Sequence, residues 1–464
     1  MTDQTPYALT IPEILREVLE HLEFNLKALC SAIRVNRAWS EEGLDILWRS
    51  PVEDCSELLA SLPEHRRQFY ADRICCWILD KSPWKYQNCM LDLEFPRLRR
   101  LDLWLAEDSL YFDYQLVPTL EEFRLYNFIP EAEEYLQQLP EYCPNLRKFC
   151  VGHSPVRRLE FDQLEIYLKE LPKLRALDLN GMSDDTMTDK VFLHLASLPL
   201  WELRMQKPVT SEMIDLACER LGSGNLFVNV HFVELKMEWC AAAKLILNLT
   251  TLRKLRLDLV SQDTNYRSFQ AIGTLTELRN LHLTIAYQTQ RSLSREEILA
   301  IGQLHELRNL TMLGGGALIL DESVTNNDLV SFLSSFPAAE YIYIDAFRSG
   351  LIPSQATIAL ATTSTRLESY TFLANWDLGF AESSTPPLFP KSQTMFYQHL
   401  RYQNIPVEGS EARTQKVTEL AEAILKQCPS LKDFRSWNTV GKDKFTSELG
   451  EAVWHLLYPL LYKS

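Results

Sequence analysis

The residues able to do chemistry in this sequence are few, and they do not converge. Asp184-Asp185 could bind a metal ion, although capping a helix is the commoner role of such a pair. Cys75-Cys76 could be a redox pair, although adjacent cysteines rarely bridge without strain. Gly314–Gly316 has no Lys after it, which favours a loop over a phosphate cradle. The nine histidines include no i, i+4 pair beside a carboxylate. We therefore expect no enzyme activity, no metal site and no cofactor.

Charge and cysteine usage restrict the class of partner. The 464 residues carry 47 basic and 62 acidic side chains, a formal net charge of −15. Such a chain repels nucleic acid and anionic lipid unless its cations are concentrated in a patch. The most apolar segment, Val453–Tyr462, is about half a membrane span, and the ten cysteines form no CxxC pair. We expect a protein of the cytoplasm and/or the nucleus, with reduced thiols, that binds neither nucleic acid nor membrane.

The first fifty residues predict three short helices. Thr10 can cap the first helix, with Pro12 in the first turn and Glu13 three residues after the cap, as in a capping box. A polar break at Glu23–Asn25 precedes a second helix, and Asn36 can cap a third. Apolar residues recur at helical spacing in these segments: Ile14, Leu15, Val18, Leu19 and Leu22; Leu26, Leu29, Cys30 and Ile33; Trp39, Leu44, Leu47 and Trp48. A unit of about 40 residues needs a partner or a neighbouring domain to bury its apolar surface.

Residues 8–49 resemble an F-box. The pattern opens with Ile11-Pro12, continues through paired aliphatic residues and a core that reads C-S-A-I-R-V-N-R-A-W, and closes with Leu47-Trp48. Cys30 is displaced relative to Val35 compared with the family's pattern. In this family the box docks on the small Skp-type adaptor of cullin–RING ubiquitin ligases.

The resemblance implies a set of adaptor-binding residues on these helices. They are Ile11, Pro12, Ile14, Leu15, Val18, Leu22, Leu29, Trp39, Leu47 and Trp48. The alternative is that the same apolar residues only form a helical cap over the next domain.

A six-residue phrase, L-x-x-L-x-L with conservative replacements, recurs through the rest of the chain. Clear copies begin at Leu98, Leu120, Leu146, Leu174, Leu252, Leu278 and Leu307, and weaker copies begin at Leu200, Phe232, Ala339, Leu367, Tyr397 and Leu431. Successive copies begin 20 to 34 residues apart. A period in this range indicates a repeat architecture.

Each phrase predicts a short strand whose alternate residues face inward. Helical stretches come before several phrases, at Ala132–Leu139, Asp189–Leu198, Glu296–Leu304 and Asn327–Phe336. Because one strand and one helix cannot bury their apolar faces alone, neighbouring units must stack. The pattern resembles a leucine-rich-repeat solenoid with parallel strands on the concave side and helices on the convex side. The predicted fold class is α/β, a short N-terminal helical F-box followed by this solenoid.

The predicted organisation has four segments. They are an F-box at 1–50, a helical bridge or N-terminal cap at 51–92, a solenoid of about 13 irregular repeats at 93–440, and a C-terminal cap helix at 441–464. Two loops interrupt the array, at Gly314–Thr325 and at Asp377–Gln393. The second is rich in Ser, Thr and Pro, and we expect it to be mobile. Either loop is neutral spacing or a contributor to binding.

The outward strand positions are the predicted substrate-binding surface. They carry nine basic and nine acidic residues, so this face is less acidic than the whole chain. Aromatic residues and Arg dominate protein–protein hot spots. The candidates of these types are Trp104, Arg124, Tyr126, Arg204, Arg256, Tyr341, Tyr343, Arg435 and Trp437. The alternative for each aromatic residue is stacking along the strand ladder.

Two functional hypotheses follow. In the first, the chain is the substrate-recognition subunit of an SCF-type cullin–RING ligase, similar to fungal F-box proteins. The box would bind the Skp-type adaptor, the solenoid would bind a protein substrate of unknown identity, and catalysis would belong to other subunits. In the second, the chain is a non-catalytic leucine-rich-repeat interaction scaffold without a ligase role.

Overall fold

The computed structural model places most of the chain. It describes residues 11–51, 55–80, 86, 89–90, 92–104, 116–126, 132–152, 166, 168–181, 188–260, 269–285, 291–314, 318–345, 351–382, 387–392, 394–401, 411–436, 453 and 456–457. The chain divides into two compact units, Met1–Val191 and Phe192–Ser464.

Three helices open the first unit, as the sequence predicts: α1 (Pro12–Glu20), α2 (Leu26–Ala32) and α3 (Arg37–Arg49). The predicted capping box at Thr10 is wrong, because Ile11 occupies the N-cap position of α1 and makes no side-chain cap. Pro12 follows in the first turn, where its missing N–H costs no hydrogen bond. Asn25 and Asn36 cap α2 and α3 by accepting hydrogen bonds from the backbone N–H groups of Ala28 and Trp39.

The three helices share a small apolar core. It consists of Leu15, Leu19, Leu29, Ala32 and Ile46, with Leu22, Ile33, Trp39 and Leu47 packed partly buried against it. Gly43 makes the approach between helices possible, because a Cβ there would lie 2.6 Å from Cγ1 of Ile33. We refer to residues 11–50 as the three-helix unit.

The segment after the three-helix unit begins as predicted and then departs from the prediction. Two helices, α4 (Cys55–Ser61) and α5 (Glu64–Ala71), match the expected bridge, but strand β1 (Cys76–Asp80) follows within 51–92. The parallel sheet therefore begins before residue 93. The run Cys76-Trp77-Ile78-Leu79 is apolar throughout and lacks the alternation that marks the other strands.

The rest of the first unit is a stack of parallel strands. After β1 come β2 (Arg100–Trp104), β3 (Glu122–Tyr126), α6 (Ala132–Tyr142), β4 (Lys148–Val151) and β5 (Ala176–Asp178). Each strand pairs in parallel with the next from β1 to β5, and equivalent anchors lie side by side, as with Leu101, Phe123, Phe149 and Leu177. Helix α6 continues through Pro140, where the sequence predicts its end.

The second unit repeats the same arrangement over more strands. Its main sheet contains β6 (Glu202–Val209), β7 (Phe232–Met237), β8 (Lys254–Leu259), β9 (Asn280–Ile285), β11 (Asn309–Leu313), β13 (Tyr341–Asp345), β15 (Ser369–Asp377), β16 (Thr394–Arg401) and β17 (Asp433–Ser436), each pairing in parallel with the next. The alternating buried residues of these strands form one wall of the core.

Helices between these strands provide the other wall. They are α7 (Asp189–Ser197), α8 (Ser211–Leu221), α9 (Trp239–Ile246), α10 (Phe269–Ile272), α11 (Arg295–Ile301), α12 (Asn326–Leu333), α13 (Ser354–Thr363) and α14 (Glu411–Gln427). Successive helices from α8 to α13 pack side by side. The predicted helices at 189, 296 and 327 are confirmed within a few residues.

Ordered elements occupy parts of both predicted loops. Strand β12 (Leu318–Leu320) lies in the first and pairs in parallel with β10 (Arg291–Leu293) in a separate two-stranded sheet. The second contains a 3₁₀ helix at Leu378–Glu382 and the buried residue Phe389. A further short strand, β14 (Leu351–Ile352), pairs with β15. The expected mobility of the second loop stays a prediction, and 383–386 and 393 lie outside the described residues.

All thirteen predicted phrases fall on strands, but two are misregistered. Val233, not Leu235, lies beside anchor Leu203, so the phrase begins at Val230 instead of Phe232. Likewise Met395 lies beside Tyr370, so β16 begins three residues before the predicted start at Tyr397. The outward residue Phe232 created the first alternative, and in both cases only the pairing with neighbouring strands decides the register.

One ion pair is enclosed in the core of the second unit. Nη2 of Arg291 donates to Oε1 of Glu297 at 2.5 Å, and both side chains are at most 4% exposed. The guanidinium lies over the ring of Trp239, 4.0 Å from its centroid. Glu297 also completes a capping box with Ser294 at the start of α11. The Glu297 carboxylate therefore has two roles: it caps α11 and it neutralises the Arg291 guanidinium that stacks on Trp239.

Other predictions concern the cysteines, membrane-spanning helices and the C-terminal segment. All ten cysteines are free; Cys55, Cys143, Cys150 and Cys428 are buried, whereas Cys30 is exposed. Burial raises the pKa of Cys143 and Cys150 to about 12, consistent with inert thiols. No helix among the described residues is long and apolar enough to cross a bilayer. Most of the predicted cap helix at 441–464 lies outside the described residues.

Candidate functional site

The three-helix unit exposes more apolar surface than its core requires. Thirteen large apolar side chains are exposed in the described chain, and five of them lie between residues 14 and 35. Ile14 and Val18 stand one turn apart on α1, and Phe24, Leu26 and Val35 flank the two ends of α2. Phe24 is 98% exposed and Val35 61%. Soluble surfaces keep such residues scattered unless they meet a partner.

The predicted adaptor-binding residues divide into three groups by burial. Pro12, Ile14 and Val18 are exposed on α1. Ile11, Leu22, Trp39, Leu47 and Trp48 are half-buried. Leu15 and Leu29 are core residues with no more than 1% exposure, so their side chains stabilise the unit and cannot reach a partner.

The sequence prediction omitted three exposed residues from this surface. Phe24, Leu26 and Val35 are not among the predicted adaptor-binding residues, although all three are apolar and lie within the pattern. The missing signal is the size of the core: with Leu15, Leu19 and Leu29 inside, residues at other helical phases have no place to be buried. We call Ile14, Val18, Phe24, Leu26 and Val35 the apolar surface of the three-helix unit.

The three-helix unit is joined to the bridge and the first repeats by polar and aromatic contacts. The Asp45 carboxylate accepts from Arg97 at 2.8 Å and pairs with Arg73 at 2.9 Å. Backbone N–H of Cys75 donates to the carbonyl of Arg49 at 2.9 Å. The ring of Trp48 packs on that of Tyr70, with centroids 4.5 Å apart. Trp48, a predicted adaptor-binding residue, therefore contacts the bridge helix α5.

On the first unit's strands, the outward charges pair with one another. Nε and Nη2 of Arg100 donate to the two carboxylate oxygens of Asp102, at 2.9 and 2.6 Å, and Nη2 of Arg124 donates to Glu122 at 2.6 Å. Strand pairing places Arg100 beside Glu122 and Asp102 beside Arg124, so opposite charges alternate in both directions. The Asp102 carboxylate accordingly raises the pKa of Arg100. Arg124, a predicted substrate-binding residue, therefore has its charge already matched.

Trp104 and Tyr126 stack on each other beside this charged network. Their ring centroids are 4.1 Å apart and the planes are inclined by 12°. Gly152 leaves room for Tyr126, because a Cβ at Gly152 would lie 2.0 Å from Cδ1 of Tyr126. Burial raises the pKa of the Tyr126 phenol. Stacking along the ladder, the alternative interpretation of these two aromatic residues, is confirmed, although Trp104 remains 37% exposed.

In the second unit, Glu234 connects two of the predicted arginines. Arg204 donates to Glu202 at 2.6 Å and lies 3.9 Å from Glu234, and Arg256 lies 3.6 Å from the other oxygen of Glu234. The Arg204 guanidinium also lies 4.6 Å from the ring centroid of Phe232. Phe232 is thus an outward residue, whereas the predicted phrase treated it as an inward anchor.

The other predicted substrate-binding residues lie apart from these. Tyr341 is exposed and Tyr343 half-buried, both on β13. Arg435 lies on β17, and Trp437 lies outside the described residues. The structure therefore brings Trp104, Arg124 and Tyr126 together in one unit and joins Arg204 to Arg256 in the other.

The chemically capable residues that the sequence singles out are only partly within the described residues. In the part of the chain that the structure describes, no group of three or more His, Cys, Asp or Glu side chains is placed to hold a metal ion. Cys75 and Cys76 are both free, with Cys76 on β1. Asp184-Asp185 lies outside the described residues, as do Gly315 and Gly316.

Parallel register and buried anchors define what kind of repeat this is. The thirteen phrases lie on parallel strands with helices between many of them, and their apolar anchors are buried wherever the structure describes the side chains. These are leucine-rich repeats of irregular length. No family model matches the chain, and no curated protein matches it.

Two solved structures show distant similarity. One is a leucine-rich-repeat protein of Leptospira interrogans, 12% identical, covering 81% of this chain and 98% of that chain with a TM-score of 0.38. The other is the plant peptide hormone receptor RGFR1 in complex with RGF2, 14% identical, covering 74% of this chain and 61% of that chain with a TM-score of 0.34. The fold assignment rests on the strand registers and not on these superpositions.

Proposed function

We propose that the chain is the substrate-recognition subunit of an SCF-type cullin–RING ubiquitin ligase. The three-helix unit binds a Skp-type adaptor, and the leucine-rich repeats bind a protein substrate. The chain itself performs no covalent chemistry, and ubiquitin transfer belongs to other subunits. Its contribution is to raise the effective concentration of the substrate at the transfer site.

The observation that carries the proposal is the apolar surface of the three-helix unit. A unit with its own core would normally cover or lose residues such as Phe24 and Val35, because exposed apolar clusters promote aggregation. Retaining them is consistent with a surface that a partner covers. The match of residues 8–49 to the F-box pattern indicates which partner this is.

The contacts at Asp45 fit the same role. A substrate receptor must hold its adaptor-binding helices in a defined position relative to the repeats, because the substrate has to arrive where transfer occurs. Arg73 and Arg97 clamp Asp45 of α3 from two sides. This clamp, together with the Trp48–Tyr70 packing, makes the three-helix unit a fixed extension of the first repeats.

Calorimetric titration of the full-length chain with a Skp-type adaptor tests the proposal. We expect wild-type binding, and we expect Ile14→Asp with Val18→Asp to abolish it, because a carboxylate would be buried without a partner. The control is Ile166→Asp, an exposed apolar residue of the same compact unit outside the three helices. Absence of wild-type binding, or equal loss in the control, would refute the proposal.

A second candidate function is supported by the same contacts between the three-helix unit and the residues that follow it. If the three helices only cap the array, the chain is a leucine-rich-repeat interaction scaffold without a ligase role. The bond from Cys75 to the carbonyl of Arg49 favours this candidate, since it ties α3 to the residue before β1. The two functions differ in one result: the scaffold predicts that the wild-type chain does not bind the adaptor.

A further inference from the structure

The residues immediately before the strands of the second unit form a continuous row. Backbone N–H of His231 donates to the carbonyl of Trp201, that of Arg253 to His231, and that of Arg279 to Arg253, at 2.9, 2.9 and 2.8 Å. Their α-carbons are therefore spaced at about the interstrand distance of ~4.8 Å. We call Trp201, His231, Arg253 and Arg279 the leading-edge strip. None of its members is among the predicted substrate-binding residues.

The aromatic end of the strip is open to solvent. Trp201 is 57% exposed, and its ring packs on that of His231 with centroids 5.0 Å apart and planes inclined by 50°. The His231 ring is fixed in turn, because Nδ1 lies 2.7 Å from the carbonyl oxygen of Asn229. Trp201 is thus an oriented aromatic surface instead of a freely rotating side chain, which lowers the entropic cost of binding.

The basic end of the strip holds two unpaired cations. Arg253 and Arg279 are both exposed, and neither guanidinium group has a hydrogen bond or ion pair to any residue that the structure describes. Like charges on adjacent strands destabilise a sheet. The next residue in the row, Arg308, is balanced by Glu340 at 3.6 Å. The strip therefore carries a local excess of positive charge in a chain whose net charge is −15.

We propose that the leading-edge strip binds an acidic peptide segment of the protein substrate. One carboxylate can accept hydrogen bonds from both Arg253 and Arg279, because guanidinium groups on neighbouring strands lie within reach of its two oxygens. An apolar or aromatic residue of the same segment covers the open face of Trp201. The proposal rests on the proposed function for the origin of the segment, but the binding itself needs no adaptor.

Charge favours an acidic peptide over a nucleic acid. Beyond Arg308 the same row continues with Glu340 and Glu368, whose backbone N–H groups donate to Arg308 and Glu340. A phosphate backbone tracking the row would meet these two carboxylates. A short acidic peptide on Arg253 and Arg279 would end before it reached Glu340 and Glu368.

The first unit contains a matched control for the arginines. Arg147 and Arg175 occupy the same position before β4 and β5, are both exposed, and are joined by the same backbone hydrogen bond. Their row begins differently, since Glu121 precedes Arg147 where His231 precedes Arg253. Nη1 of Arg175 also donates to the carbonyl of Leu174 at 2.9 Å. Both rows contain two adjacent arginines, but the row of the first unit has a carboxylate in place of His231.

Fluorescence anisotropy of the full-length chain with labelled decaglutamate tests the proposal. We expect binding that weakens with added salt. Arg253→Ala with Arg279→Ala should lower the affinity about tenfold, the combined effect of two exposed charge pairs. A second labelled peptide carries one Trp at the centre of the glutamate run. Trp201→Ala should weaken the binding of this peptide severalfold. Arg147→Ala with Arg175→Ala should leave the affinity unchanged.

Several results would overturn the proposal. They are no binding of decaglutamate by the wild type, equal loss in the Arg147, Arg175 control, or tighter binding of an oligothymidylate of the same length. Circular dichroism keeps the comparison interpretable, because all substituted side chains are exposed and should leave the fold intact. Adaptor titration of the Arg253→Ala, Arg279→Ala variant separates the two proposals: adaptor binding is retained whether or not decaglutamate binds.

Discussion

The three-helix unit and the repeats treat their apolar residues in opposite ways. In the repeats, anchors such as Leu177 and Leu283 are buried, and the outward positions between them are charged or polar. In the three-helix unit, the core holds Leu15, Leu19 and Leu29, while Phe24 and Val35 remain in solvent. The repeats bury the apolar anchors of their strands, and the three-helix unit leaves several apolar side chains in solvent for a partner.

The comparison extends to charge. Outward charges on the first unit's strands are neutralised within the sheet, as Arg100 is by Asp102 and Arg124 by Glu122. A face whose charges are internally matched gains little from binding an ion. Arg253 and Arg279, at the leading edge of the second unit, lack such partners. Recognition is therefore expected at positions that are left unpaired, and these need not be the positions with the most charge.

The largest expected effect concerns the enclosed pair in the second unit. Glu297→Ala leaves the Arg291 guanidinium buried without its carboxylate and removes a helix cap, so we expect a loss of about 3–5 kcal/mol in the free energy of unfolding. The matched exposed pair is Arg37 with Glu41, at 2.9 Å. Glu41→Ala should cost less than about 0.5 kcal/mol. Urea unfolding of both variants measures the difference, and comparable losses would show that Glu297 is not enclosed.

A second substitution pair addresses the apolar residues directly. Leu283→Ala removes a buried anchor of β9 and should destabilise the protein by about 2–5 kcal/mol. Phe24→Ala removes a larger side chain from solvent and should change stability by no more than about 0.5 kcal/mol. Thermal unfolding followed by circular dichroism measures both. A large loss from Phe24→Ala would mean that this residue belongs to a core and not to a docking surface.

Capping within the three-helix unit gives a smaller effect. Asn36 accepts a hydrogen bond from the N–H of Trp39 at 3.0 Å, and Asn36→Ala should cost about 1 kcal/mol. Thr10→Ala should cost nothing measurable, since Ile11 is the N-cap of α1. Urea unfolding of the two variants distinguishes a capping box at Thr10 from the observed helix start.

The smallest effect is a pH dependence at His282. Burial and the nearby Arg256 lower the pKa of His282 below its ordinary value of 6.5, despite the opposing Asp258. The neutral ring is therefore favoured in the fold, and its contribution is present above pH 6.5 and is lost as pH falls through the lowered value. His282→Gln should make unfolding less sensitive to pH between about 7 and 5. An unchanged pH profile in that variant would contradict the shift.

Periodicity predicted the repeats because the anchors are both apolar and regularly spaced. Leu101, Phe123 and Phe149 could be assigned from the sequence and lie side by side in the sheet. The error at β7 arose because Phe232 is apolar but lies at an outward position. Two strand registers then bury apolar residues equally well, and the sequence does not distinguish them. Strand β1 was missed for a related reason: Cys76–Leu79 shows no alternation to count.

The candidate surfaces were only partly predictable. A motif match names residues of a pattern without separating those inside from those outside, so Leu15 and Leu29 were grouped with Ile14 and Val18. Burial makes the distinction once the size of the core is known. The leading-edge strip depends on which residues become neighbours across strands about 25 residues apart, and that requires the register.

Hydrogen–deuterium exchange of the full-length chain with and without a Skp-type adaptor tests the central claim most directly. Amides of the three-helix unit should gain protection when the adaptor is present, because the apolar surface around Ile14, Phe24 and Val35 becomes covered. The strands of the repeats, whose apolar anchors are already buried, should show no change on adaptor binding. Unchanged exchange throughout residues 11–50, or protection confined to the repeats, would contradict the account.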